Sequence, residues 1–219
     1  DVVELAGMLE EAERGSGLKL GSLTIVPLIE SAKGVVKAYE IASASERVIA
    51  VAFGAGDYYR DLGRSVSFLS PEQTELLYAR SQIVNGSRAA GIQAMDTPFF
   101  GLLTDREGFM KETILALQLG FKGKLLIHPA QIDFVNKTFS PSPDETGYSR
   151  RVVEAFEEAQ ARGLGAISFE GKMIDIMSYR QANDLVNFVE LIAEKERKRQ
   201  LGPGISLFRF FASSSTRRM

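Results

Sequence analysis

Two acids stand where a sheet would display them. Leu23-Thr24-Ile25-Val26-Pro27-Leu28-Ile29 is an apolar run closed by Glu30. Val48-Ile49-Ala50-Val51-Ala52-Phe53 is a second, followed by Gly54-Ala55-Gly56 and Asp57. Short β-rich runs with little polar alternation read as strands buried on both faces, as in a parallel sheet. A carboxylate just past the end of such a strand lies at the sheet's carboxyl edge, where α/β folds place their chemistry. The two acids are about one βα unit apart in the chain. Neighbouring strands lie about 5 Å apart, so both acids can reach one divalent cation. Two carboxylates with positions left for water and substrate oxygens suit magnesium or manganese. The competing role for each acid is to cap the helix that follows its strand.

Four other places carry reactive side chains. His128 closes a fourth apolar segment and precedes Pro129. It is either a base or hydrogen-bond donor to substrate, or an anchor that holds its loop through the ring nitrogens. Asp96, in Met95-Asp96-Thr97-Pro98, also stands at a strand end. It is either an acid supporting the metal site or a turn former. Arg80 and Arg88 fall on the helix after Asp57, where they pair with a phosphate, a core acid or exposed carboxylates. Asp175 ends Gly171-Lys172-Met173-Ile174-Asp175, a loop or turn that can close over a site or remain solvated.

Composition narrows the chemistry. The 219 residues include no cysteine and one histidine. Disulfides, thiolate nucleophiles, Cys-ligated zinc and His-rich metal sites are therefore excluded, and any resident metal is held by oxygen. A net charge of −2 without a basic stripe argues against a nucleic-acid partner. Neither a signal peptide nor an apolar run of membrane-spanning length is found, so the expected compartment is the cytoplasm.

The elements that must position these residues alternate. Residues 1–14 have helical periodicity, and in strand 23–29 the awkward Pro27 predicts a ladder that loosens just before Glu30. A helix over 34–43 leads to strand 48–53. Ser70-Pro71-Glu72-Gln73 predicts a capped helix start and a helix to Ala90. Strand 92–95, helix 107–119 ended by Gly120, and strand 125–127 follow. Helices over 130–139 and 144–162 flank Ser140-Pro141-Ser142-Pro143. A last short strand covers 166–169, and an amphipathic helix runs over 179–200. Strand and helix alternating at about 30 residues per unit argue for a parallel α/β protein. Five such units resemble part of a (β/α)₈ TIM-type barrel with its first strands missing, because a complete barrel is typically about 250 residues. An open doubly wound sheet is the alternative, but no strand is followed by Gly-x-Gly-x-x-Gly. The expected organisation is one barrel portion over 1–200, with 164–200 as closing strand, lid-like loop and helix. Residues 201–219 read as a flexible tail.

Several segments taken together resemble the citrate lyase beta-subunit-like family of the HpcH/HpaI aldolase superfamily. They are Pro27-Leu28-Ile29-Glu30-Ser31-Ala32-Lys33-Gly34-Val35, Phe53-Gly54-Ala55-Gly56-Asp57-Tyr58, the stretch from Ser70 to Arg80, and Ser87 to Ala94. Gly120 to Lys124, Ile127 to Ile132, and Gly171 to Asp175 continue the match in order and spacing. The resemblance implies a magnesium-dependent (β/α)₈ lyase that cleaves a 3-hydroxy-acyl thioester of coenzyme A or an acyl carrier protein. The products are an acetyl thioester and a 2-oxo acid. It implies Glu30 and Asp57 as metal ligands. It implies Asp175 as an acid/base, delivered in some relatives to a neighbouring subunit of a homo-oligomer, often a trimer. The chain departs from the family in two ways. Gly56 stands where many relatives carry Glu, and the chain begins after the strand bearing the family's substrate-binding arginine. The alternatives are an HpcH/HpaI-type aldolase acting on free pyruvate-derived substrates and a truncated, non-catalytic binding or scaffold homologue.

Overall fold

A computed structural model describes residues 1–200, the side chains of Phe68, Arg199 and Gln200 excepted. The expectation for residues 201–219 lies outside the described residues. The chain divides into two compact units, the first comprising residues 1–139 and the second beginning at Ser140.

The first unit begins with α1 (Val2–Gly15), β1 (Leu28–Ile29), α2 (Ala32–Val36), α3 (Ala38–Ser43), β2 (Ala50–Phe53) and α4 (Ala55–Asp61). It continues with α5 (Leu77–Ala89), β3 (Gln93–Asp96), α6 (Arg106–Leu119), β4 (Gly123–Lys124) and α7 (Ile132–Phe139). The four strands form a parallel sheet in chain order. Every connection therefore crosses over through helix, as parallel pairing requires. Strand β2 is buried along its whole length, which explains its unbroken apolar run. Ile29, Val51, Phe53 and Ala94 of the strands pack with Val35, Leu76, Ile83, Ala116 and Phe121 in the main core. Gly86 lets α5 approach α3 closely, since a Cβ there would stand 2.8 Å from the Tyr39 nitrogen.

Buried charge holds the helices on this sheet. Arg80 of α5 donates to both carboxylate oxygens of Asp96, at 2.9 and 3.2 Å. Lys124 of β4 donates to Asp96 at 3.0 Å, to the Thr97 carbonyl at 2.7 Å, and to Glu112 of α6. Gln73 donates to the other Glu112 oxygen. All five side chains are buried. A second buried acid, Glu13 of α1, accepts from Gly21 N, Leu23 N and both terminal nitrogens of Arg47, at 2.7–2.9 Å. The Arg47 guanidinium and the two backbone donors pull its carboxyl from an ordinary value near 4.5 down to about 2.

The second unit contains α8 (Pro143–Ala161), β5 (Ala166–Phe169), β6 (Lys172–Asp175) and α9 (Ile176–Gln200). Ser142 and Glu145 form a capping box at the start of α8. Val152 and Phe156 of α8 pack with Ile174 and Ala182 in a separate core. Among the described residues, no helix is long and apolar enough to cross a membrane.

Three expectations are corrected. The fifth strand does not continue the parallel sheet. Residues 166–169 pair antiparallel with 172–175, which is a strand and not a loop. Glu170 and Gly171 both have positive φ, 48° and 77°, the backbone of a tight two-residue hairpin turn. Four parallel strands are present among the described residues, so barrel closure is not a feature of this structure. The helix expected from Ser70 starts at Leu77, after a 3₁₀ turn over Thr74–Leu76. Gln73 adopts φ 49° and turns its amide to Glu112, and Glu75 instead accepts from Ser70 N and Oγ. The first strand is shorter than its apolar run. Ile25 makes only an isolated bridge to Val48, and the ladder resumes after Pro27.

Two outcomes are expected. Asp96→Ala strands Arg80 and Lys124 in the interior and costs about 3–5 kcal/mol of stability, measured by urea unfolding. For Glu13, the folded-state carboxyl titrates below the unfolded one, so its contribution is complete above pH 4.5 and disappears as pH falls through about 2. The stability gap between the native chain and Glu13→Gln is therefore expected to be constant near pH 6 and to close between pH 4.5 and 2.

Candidate metal centre at the carboxyl edge

Glu30 follows β1 and Asp57 lies in the first turn of α4, directly after β2. Leu28 and Ile29 pair with Ala52 and Phe53, so Glu30 and Gly54 leave the sheet side by side. Gly54 N donates to the Ile29 carbonyl at 2.8 Å and continues the ladder past the strand ends. Both acids line one open depression of about 480 Å³, together with Arg60 and Asp61.

Neither acid serves as a helix cap. Ser31 caps α2, accepting from Gly34 N, and α4 begins at Gly54 with no side-chain cap. The Asp57 carboxylate instead receives Arg60 Nη2 at 2.9 Å, an exposed contact one helical turn away. Asp61 accepts from Ala32 N at 2.8 Å and ties the end of α4 to the start of α2. The depression thus holds three carboxylates and one guanidinium. Arg60 and Asp61 escaped the sequence reading, although their i+3 and i+4 spacing from Asp57 puts all three on one helix face. The backbone at Gly56 is walled by apolar groups. A Cβ there would stand 3.2 Å from the Phe100 ring and 3.9 Å from Val66.

The donor set fits a hard divalent cation. Among the described residues, no group of three or more His, Cys, Asp or Glu side chains is gathered to enclose an ion. Glu30 and Asp57 are the two sequence candidates that line the depression. Magnesium suits such a site because it keeps several waters and takes one or two carboxylates plus substrate oxygens.

The remaining candidates, Arg88 aside, have structural partners. Asp96 and Arg80 belong to the buried ion network. Arg88 is exposed on α5. His128 is exposed, and its Nδ1 accepts from Ala130 N at 3.1 Å, so it caps the short turn that follows. Lys124 and Glu112 were missed, although Glu112 shares the apolar stripe of α6 with Phe109, Thr113 and Ala116. In the second unit, Asp175 accepts from Ser178 N at 2.8 Å and from Ser178 Oγ at 2.9 Å. Those two bonds hold its carboxyl below the usual carboxylate range.

Parallel β/α units in chain order, with acids at the carboxyl edge, define the fold as TIM-barrel-like. The HpcH/HpaI aldolase/citrate lyase family model matches residues 1–129, and the chain belongs to that family. It is 43% identical over 200 residues to citrate lyase subunit beta of Leuconostoc mesenteroides subsp. cremoris, covering 85% of this chain and 65% of that one. It is 32% identical over 205 residues to an L-malyl-CoA/beta-methylmalyl-CoA lyase of Rhodobacter capsulatus, covering 87% and 64%. The chain thus spans under two thirds of the length of these relatives. Among solved structures it resembles Mycobacterium tuberculosis CitE in complex with magnesium, acetoacetate and coenzyme A, at TM-score 0.62 and 31% identity, over 77% of this chain and 61% of that one. A citrate lyase from Burkholderia xenovorans LB400 superposes at TM-score 0.72 over 94% of this chain and 62% of that one. At 18% identity it speaks to the fold alone.

Arg60 competes with any cation for Asp57. Arg60→Gln is expected to raise affinity for Mn²⁺ several-fold in the absence of substrate, measured by electron paramagnetic resonance of the free ion.

Proposed function

We propose that this chain is part of a magnesium-dependent carbon–carbon lyase acting on a 3-hydroxy-acyl thioester, citryl-, malyl- or citramalyl-CoA or the corresponding carrier-protein thioester. The observation that carries the reading is the convergence of Glu30 and Asp57 on one open depression at the sheet's carboxyl edge. The names of the citrate lyase and malyl-CoA lyase relatives support it, as does the magnesium and coenzyme A in the CitE complex.

In this reading Glu30 and Asp57 hold the ion, and Arg60 must leave Asp57 to admit it. Magnesium, when bound, supplies Lewis-acid stabilisation of charge that develops on substrate oxygens, worth several kcal/mol. Cleavage also requires the substrate's hydroxyl proton to leave as the carbonyl forms. The electron pair of the broken bond stays with the thioester's α-carbon, which then takes up a proton. A carboxylate can receive that proton first and return it afterwards, and Asp175 is the candidate. We assign it that role in the site of a neighbouring copy, in a homo-oligomer with three subunits favoured. Met173 and Met177, exposed on either side of Asp175, are consistent with a segment that docks on another surface.

A second reading, an aldolase on free pyruvate-derived substrates, is favoured only by the breadth of the family. The two are separated by assaying the full-length protein with malyl- and citramalyl-CoA against free hydroxy-keto acids. Magnesium-dependent release of acetyl thioester is expected, and Asp57→Asn is expected to abolish it. Unchanged turnover of Asp57→Asn at saturating magnesium would overturn the site.

A further inference from the structure

We infer that Gly54 is a positioning residue, and that its missing side chain leaves free the space the Glu30 carboxylate occupies. The inference rests on Glu30 being a cation ligand. A Cβ built on Gly54 would stand 2.4 Å from Glu30 Cγ, 2.7 Å from Oε1 and 3.0 Å from Cδ. Real atoms do not approach so closely, so any side chain at position 54 displaces Glu30 along its whole length.

The backbones on either side cannot yield instead. Gly54 N is bonded to the Ile29 carbonyl at 2.8 Å, and the Gly54 carbonyl accepts from Tyr58 N at 3.1 Å as the first bond of α4. Glu30 is clamped between Ile29, which is buried and paired to Phe53, and Ser31, which caps α2. The element free to move is the Glu30 side chain, which is exposed.

Backbone freedom does not explain the glycine. Gly54 has φ −103° and ψ 75°, outside the left-handed region that favours glycine. It is also the N-cap of α4, a position where serine is preferred over glycine. Helix stability alone would thus favour serine at this position. Clearance for Glu30 is the constraint that opposes it.

Local stability and cation affinity therefore have opposite preferences at position 54, which gives a clean test. Mn²⁺ alone is titrated into the full-length protein and into Gly54→Ala, Gly54→Ser, Glu30→Gln and Gly54→Ser/Glu30→Gln. Free Mn²⁺ is read by electron paramagnetic resonance, and thermal midpoints are recorded alongside. Gly54→Ala and Gly54→Ser are expected to lose about 10–100-fold in affinity, the usual cost of disturbing what orients a ligand. Gly54→Ser is expected to keep or raise the thermal midpoint. Because the glycine acts through Glu30, the double variant is expected to bind no more weakly than Glu30→Gln. A loss in Glu30→Gln combined with native affinity in Gly54→Ser overturns the inference alone. So do losses that multiply in the double variant, or a midpoint that falls in step with affinity. Native affinity in Glu30→Gln overturns the metal site itself and this inference with it.

Discussion

The buried ion network around Asp96 is the constraint on which the first unit depends. Arg80, Asp96, Glu112 and Lys124 come from α5, β3, α6 and β4, and their formal charges cancel. Taking such groups out of water is costly, and mutual attraction repays the cost only when the geometry is good and the partners are complete. The fork of Arg80 against Asp96 and the three acceptors of Lys124 supply most of those partners, while Arg80 Nη1 and Gln73 Oε1 are buried without one. A hydrophobic core tolerates many arrangements of similar volume. An interlocked set of charges does not, because a shift of register by one residue would leave a charge unpaired. The pairing of Asp96 with Lys124 in the β3–β4 ladder is where this selection acts.

The same strand alignment builds the candidate metal centre. Once β1 and β2 are parallel and Ile29 is set against Phe53, Glu30 must emerge beside Gly54, and Asp57 must follow within the first turn of α4. The acids are exposed, yet the backbones that carry them are anchored by ladder bonds, by the Ser31 cap and by the Asp61 contact to Ala32. Charge is thereby presented to solvent from a rigid edge. That arrangement suits a hydrated cation. Arg60 offsets part of that charge through its contact with Asp57. Phe100 and Val66 line the space beside Gly56, so this flank of the depression is apolar.

Much of this was legible in the order of residues, for identifiable reasons. Unbroken apolar runs ending in acids marked β2 and the two edge carboxylates, because a strand buried on both faces admits no polar alternation. Gly120 marked the end of α6, where φ reaches 102°. The length of β1 was overstated because apolarity reports burial and not ladder bonding, and Pro27 interrupts the latter. Glu75 took the place at Ser70 expected of Gln73, because the amide of Gln73 found a buried acid from α6, a partner 39 positions further along the chain.

Residue type and spacing by themselves determined the parallel α/β class of the first unit and the position of Glu30 and Asp57 at its carboxyl edge. Those properties are local, set by side-chain chemistry and by the period of the apolar pattern. Tertiary structure alone decided that Asp96 and Arg80 serve the core, that His128 caps a turn and that 166–175 closes into its own hairpin. It alone placed Arg60 and Asp61 in the depression with the acid pair. Each of these outcomes depends on which distant group supplies the partner for a charge or a backbone donor, and that is fixed only when the elements pack.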